Sequence, residues 1–164
     1  MGKTNRTKGR ENMLIVIAEK EELKLVEELG LQDEPIIITG VGAINVLNAL
    51  KNIPKDEKII NVGYAGSNNL NIGTRVAVSV VKTLHEKANF TEQSKCCYVQ
   101  TKNYDVVAPC YTSTDFVTKT KIEEDCVFDM ELAFICSLFD NVWAIKVVSD
   151  NLSHKQYKNK TKGE

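Results

Sequence analysis

The residues of this chain that could do chemistry are carboxylates and glycines placed where apolar runs stop. The run "WAIKVVSDN", residues 143–151, is apolar for most of its length and ends on Ser149, Asp150 and Asn151. A carboxylic acid at the end of a buried strand is desolvated. Desolvation raises its pKa and fits it to donate a proton near neutral pH. Similar stops occur at 18–22, 40–42, 63–66 and 129–131, and they contribute Glu22, Asp129, Met130, Glu131 and a set of glycines. Each has an ordinary structural alternative. Asp150 suits a helix N-cap or turn, Glu22 a solvated first turn, and Met130 and Phe116 a core.

The elements that must position these residues follow from the apolar pattern. "MLIVIA" is a short continuous apolar run suited to a strand buried on both faces, and it passes into "EKEELKLVEELG", a helix closed by Gly30. "EPIIITG" reads as a second strand. "VGAINVLNALKNIP" reads as a helix with Ile44, Leu47 and Leu50 in phase, stopped before Pro54. "EKIINVGYAG" is a third strand running into a glycine turn. "GTRVAVSVVKTL" and "KCCYVQ" are β-like, with a polar loop expected over 85–95 between them. "VVAPCYTST" reads as strand and turn, "IEEDCVFDMELAFICSLF" as strand and helix, and "NVWAIKVVSDN" as the last strand. Strands alternating with helices imply a layered α/β domain with a mostly parallel central sheet. Ligands in such sheets sit beyond the carboxyl ends of the strands. The organisation expected is a basic tail over 1–12, one domain over 13–152 and a polar, frayed tail over 153–164.

Composition narrows the function. Among 164 residues, 43% are hydrophobic and the net charge is −1, so no field gathers nucleic acid or an anionic membrane. No run reaches the ~18 apolar residues of a membrane span. Five cysteines without a C-x-x-C pair, and two distant histidines, argue against a metal site. No secretion signal is legible, which favours a cytoplasmic protein whose cysteines stay thiols. "TGVGAIN" offers Gly40 and Gly42 as a dinucleotide turn. Asn45 stands at the third position of that pattern, so a tight turn needing positive φ is favoured over an oxidoreductase.

Four segments in order carry a resemblance: "ITGVGAINVLNAL", "INVGYAGSNNLNIGTRVAVS", "VFDMELAFICSL" and "AIKVVSDN". Together they resemble the purine nucleoside phosphorylase and methylthioadenosine/S-adenosylhomocysteine nucleosidase superfamily, over residues 13–151. The resemblance implies a three-layer α/β/α sandwich around a mixed, mostly parallel sheet, and cleavage of a nucleoside N-glycosidic bond without a cofactor. It implies that Asp150 protonates the departing purine and that Glu22 activates water. Met130 and Glu131 would bind the ribose. Phe116, Val117, Ala65, Gly66 and Ser149 would meet the base or hold the acid in place. Such a reaction passes through an oxocarbenium-like transition state, so Asp150 should be neutral while Glu22 and Glu131 are ionised.

The scarcity of arginine (Arg6, Arg10 and Arg75) favours water over phosphate as the acceptor. The expected function is therefore a hydrolase of an adenine nucleoside of the methylthioadenosine or S-adenosylhomocysteine type, working as a homodimer on a small-molecule nucleoside. The alternatives are a truncated, non-catalytic nucleoside- or protein-binding relative, and a phosphorylase. Three departures from the family support the binder. The chain is short, little remains for a helix after Asn151, and Tyr64 in the glycine loop would crowd a nucleoside.

Overall fold

The computed structural model describes residues 12–85, 90–99 and 102–162, so the basic stretch 1–11 lies outside it. The element order is β1 (Leu14–Ile17), α1 (Leu23–Glu28), β2 (Ile36–Ile38), α2 (Ala43–Leu50), β3 (Lys58–Ser67), β4 (Arg75–His85), β5 (Phe90–Cys96), β6 (Val106–Thr112), β7 (Val127–Asp129), α3 (Leu132–Leu138), β8 (Asn141–Asp150) and α4 (His154–Thr161). A single 3-10 turn, Lys20–Glu22, leads into α1. Gly30 closes that helix at φ +72°, as its sequence position implies.

The expected open sandwich is overturned by the pairing. β3 pairs β7, β7 pairs β6, β6 pairs β4, β4 pairs β8, and β8 returns to β3. These five strands close a mixed barrel, and β1, β2 and β5 lie outside the ring. Closure depends on long strands that change partner along their length. β3 pairs β1 over Ile59–Asn61 and β7 over Gly66–Ser67. β4 pairs β8 over Arg75–Ala77 and β5 from Val80 onward. An apolar run looks the same whether its sheet stays open or curls shut, so hydrophobic pattern alone could not separate the two.

Two irregularities shape the ring. β4 gains one residue against β6 between Val78 and Val81, opposite Pro109, which has no N–H to give the ladder. β8 gains one against β3, where Ala65 faces Val148 and Gly66 faces Asp150, leaving Ser149 as the extra residue. A bulge of this kind re-aims the side chain that follows it.

Three local expectations change as well. Residues 90–95, expected as loop, form most of β5, while 86–89 lie outside the described residues. On α2 the buried side chains are Val46 and Leu50, whereas Ile44 is 75% and Leu47 43% exposed. The segment expected to fray after Asn151 contains α4, N-capped by Ser153, whose hydroxyl accepts from Gln156 N–H at 3.3 Å. α4 is docked at its far end too: Tyr157 Oη donates to Glu19 Oε2 at 2.6 Å, and Lys162 pairs with Glu21 at 3.0 Å.

Candidate active site

The site has two neighbouring parts. The first surrounds Asp150, which is fully buried at the end of β8. Ser149 Oγ donates to its Oδ1 at 2.6 Å, and the N–H groups of Leu152 and Ser153 donate to Oδ2 at 2.9 and 3.3 Å. Burial pushes this carboxyl above its ordinary value, and those hydrogen bonds and His154 offset only part of the rise. A small hollow of about 30 Å³ opens beside it, walled by Gly66, Phe116, Val117, Met130 and Asp150 together with Asp115, Phe128 and Asp129. Gly66 is required here, because a Cβ would stand 2.9 Å from Asp150 Oδ2. Ala65 is buried one residue earlier, and its carbonyl accepts from Ser149 Oγ at 3.4 Å. Phe116 already has an aromatic partner, the His154 ring of α4, at a 4.0 Å centroid distance.

The second part surrounds Lys146, a buried lysine within an otherwise apolar strand. Its Nζ pairs with Asp129 Oδ2 at 3.0 Å. Asp129 also accepts from Thr112 Oγ1 at 2.5 Å, Leu132 N–H at 2.8 Å and the Cys110 thiol at 3.3 Å. Burial alone would raise the Asp129 carboxyl, but Lys146 and these donors outweigh it and hold it below its ordinary range. Burial alone would lower Lys146, and the surrounding carboxylates reverse that.

Glu22 and Glu131 flank this pair. Glu22 Oε1 accepts from the N–H groups of Ala18 and Glu19, both at 2.9 Å, and Oε2 from Tyr64 N–H at 2.8 Å. That takes three of the roughly four acceptor positions of a carboxylate and leaves one. Gly63 permits the approach, since a Cβ there would sit 2.5 Å from Glu22 Oε2 and 3.4 Å from Lys146 Nζ. Glu131 Oε2 accepts from Gly42 N–H at 2.9 Å. The backbone amide offered to a dinucleotide by the glycine-turn reading is thus engaged by a side chain of the chain itself.

One cation cannot neutralise three buried carboxylates. Asp129 takes Lys146, so burial raises Glu22, and burial followed by the Asp129 charge pushes Glu131 up to about 8. Glu131 therefore holds its proton more tightly than an ordinary glutamate, in contrast to the ionised ribose ligand that the resemblance implies. Tyr64 requires a correction. Its ring packs in the cluster of Ile17, Leu25 and Val26 under α1, with Lys24 above it at 5.7 Å, and it does not wall the hollow.

Asp150, Met130, Phe116, Val117 and Gly66 thus meet at one hollow, with Ala65 and Ser149 behind it. Glu22 and Glu131 join through Lys146 and Asp129 rather than lining the hollow. Lys146 was missed by sequence reasoning, and Asp129 was marked only as a carboxylate at a strand end, without a role. A lone lysine inside "WAIKVV" was the available signal, because a buried ammonium requires a buried anion. Among the described residues no cluster of histidine, cysteine and carboxylates could hold a metal ion, and no helix is long and apolar enough to cross a membrane.

No protein-family model matches the chain, and no curated protein sequence does. Solved structures do match. The chain superposes on the MTAN of Chlamydia trachomatis bound to MTA with a TM-score of 0.74 at 19% identity, covering 93% of this chain and 91% of that one. The chain has the MTAN fold. It also matches the S-adenosylhomocysteine nucleosidase of Streptococcus pyogenes in complex with 5-methylthiotubericidin, at 0.72 and 17% identity over 95% and 92% of the two chains. For the 5'-methylthioadenosine/S-adenosylhomocysteine nucleosidase of Neisseria meningitidis, in complex with methylthio-immucillin-A, the values are 0.69 and 16%, over 93% of each. The chain therefore spans nearly the whole of these MTAN-fold neighbours despite its small size.

Proposed function

We propose that this chain is a nucleosidase-like hydrolase that cleaves the N-glycosidic bond of an adenine nucleoside of the methylthioadenosine or S-adenosylhomocysteine type. The observation that carries the reading is Asp150, a buried carboxylic acid with a raised pKa at a hollow walled by Phe116, Val117 and Met130. In this reading Phe116 and Val117 hold the base, with Ala65 and Gly66 giving it backbone-close walls. Ser149 fixes the acid, and Asp150 donates its proton to the departing purine. Protonation turns a poor leaving anion into a neutral base, while positive charge develops on the sugar. Met130 packs on the ribose. Glu131, in its protonated form, both donates to and accepts from its hydroxyls. Glu22 uses its one remaining acceptor position to orient and deprotonate water. The fold shared with nucleosidases at low identity supports the reading. Water is preferred to phosphate because Lys146 is committed to Asp129.

A homodimer is part of the same proposal. Ile44 and Leu47 of α2, with Val41 before it at 39% and Ile38 at 48% exposure, form an apolar surface suited to a second copy. A cytoplasmic setting accords with the five cysteines being free thiols.

The test is adenine release from methylthioadenosine by the purified chain. We expect turnover that falls about 100- to 10,000-fold in Asp150→Asn, with methylthioadenosine still bound. No release by the wild type, alongside a saturable thermal shift with adenine, would replace the hydrolase with a nucleoside binder.

A further inference from the structure

Cys97 and Cys136 are 39 residues apart in the chain, yet their sulfurs lie 3.8 Å from one another, both buried. The other buried thiols make different contacts: Cys110 donates to Asp129 and Cys126 to Asn68. Both sides of the close pair are anchored. Cys97 N–H donates to Ser79 O at 3.0 Å and Tyr98 N–H to Val142 O at 2.9 Å, and the Tyr98 ring stacks on Trp143 at 4.8 Å. Cys136 sits within α3. Lys95 Nζ, at the end of β5, donates to the carbonyls of Cys136 and Phe139, so an ammonium group holds these segments together beside the sulfurs.

We propose that Cys97 and Cys136 are a reversible redox pair, closed to an intramolecular disulfide by a peroxide or a low-molecular-weight disulfide. The sulfurs must approach from 3.8 Å to about 2.05 Å. Cys97 is the attacking sulfur. Its hydrogen bond with Cys136, aided by Lys146 and Lys95, favours its anion, so its pKa falls despite burial. With hydrogen peroxide, the Cys97 thiolate takes one oxygen as the O–O bond breaks, giving a sulfenic acid, and the departing hydroxide is protonated to water. The Cys136 sulfur then attacks the Cys97 sulfur. The S–O bond breaks, and hydroxide leaves with the Cys136 proton as a second water. The two thiols lose two electrons and the peroxide gains them. With a low-molecular-weight disulfide, the same pair passes through a mixed disulfide and releases two thiols. The product ties the end of β5 to α3, the helix that follows Asp129 and Glu131.

The experiment treats the purified full chain with graded hydrogen peroxide, then alkylates it and maps it by non-reducing peptide mass spectrometry. We expect a Cys97–Cys136 cross-linked peptide, an intact mass lower by two hydrogens, and reversal by dithiothreitol. The melting temperature should rise by roughly 5–10 °C on oxidation. Cys97→Ser and Cys136→Ser should each abolish the cross-link, and Cys96→Ser should keep it. The proposal is overturned if exposed Cys96 supplies the cross-link, or if Cys97 proceeds to sulfinic acid with Cys136 still alkylated. It is equally overturned if both thiols survive a dose that oxidises Cys96. The wild-type map decides alone should a serine variant fail to fold, and no readout depends on nucleosidase activity.

Discussion

Asp129 and Asp150 end neighbouring parts of one barrel, both buried, and their acidities move in opposite directions. Asp129 has an ammonium group at 3.0 Å and a threonine hydroxyl at 2.5 Å. Asp150 has a serine hydroxyl and two backbone amides, and among the described residues it makes no ion pair. Burial penalises charge in both places, and Lys146 with the donors beside it lets Asp129 escape the penalty. An anion that organises the site and an acid that holds its proton longer can thus arise from the same residue type.

The largest expected effect comes from removing the asymmetry. Lys146→Met leaves Asp129 buried without its cation and should cost about 3–5 kcal/mol in urea unfolding. Lys146→Met combined with Asp129→Leu should recover much of that loss, and a double mutant no better than the single would show that packing, not charge, was lost. Next in size is Gly63→Ala, which forces Glu22 off its amides. A loss of about 1–3 kcal/mol is expected, seen as a lower midpoint in the same titration.

A third comparison uses pH. Folded Glu131 keeps its proton up to about 8, whereas the unfolded chain loses it near the ordinary glutamate value of 4.5. The folded state therefore binds more protons between those values, so Glu131 makes stability fall as pH rises through that window. Glu131→Gln should flatten the fall and leave the variant more stable than the parent chain at pH 8, read from urea midpoints at pH 5 and 8. An unchanged slope would place the titrating group elsewhere. The smallest effect is expected at α4. Tyr157→Phe removes the 2.6 Å bond to Glu19 and should cost about 1 kcal/mol. Hydrogen exchange should quicken in α4 and in the 3-10 turn before α1, while the β8 amides stay protected.

Much of this was legible in the residues. The strand ends at Asp129–Glu131 and Ser149–Asn151 were marked by where apolar runs stop, whereas Gly63–Gly66, expected as a turn, lies within β3; Asp150, Met130, Phe116 and Val117 line one hollow. The partnership of Glu22 with Tyr64 N–H was not legible, because it joins groups 42 residues apart through the backbone. Nor was Ser149 as the extra residue of a bulge, which register alone reveals.

The sequence by itself determined most of the strands and helices, β5 and α4 excepted, because side-chain periodicity and glycine placement act over a few residues. It also determined that carboxylates gather at the strand ends. Only the tertiary structure decided that five strands close into a barrel, that Tyr64 turns away from the hollow, and that Lys146 serves Asp129 rather than another acid. Those outcomes depend on which groups the fold brings together from distant positions, and short-range pattern does not specify them.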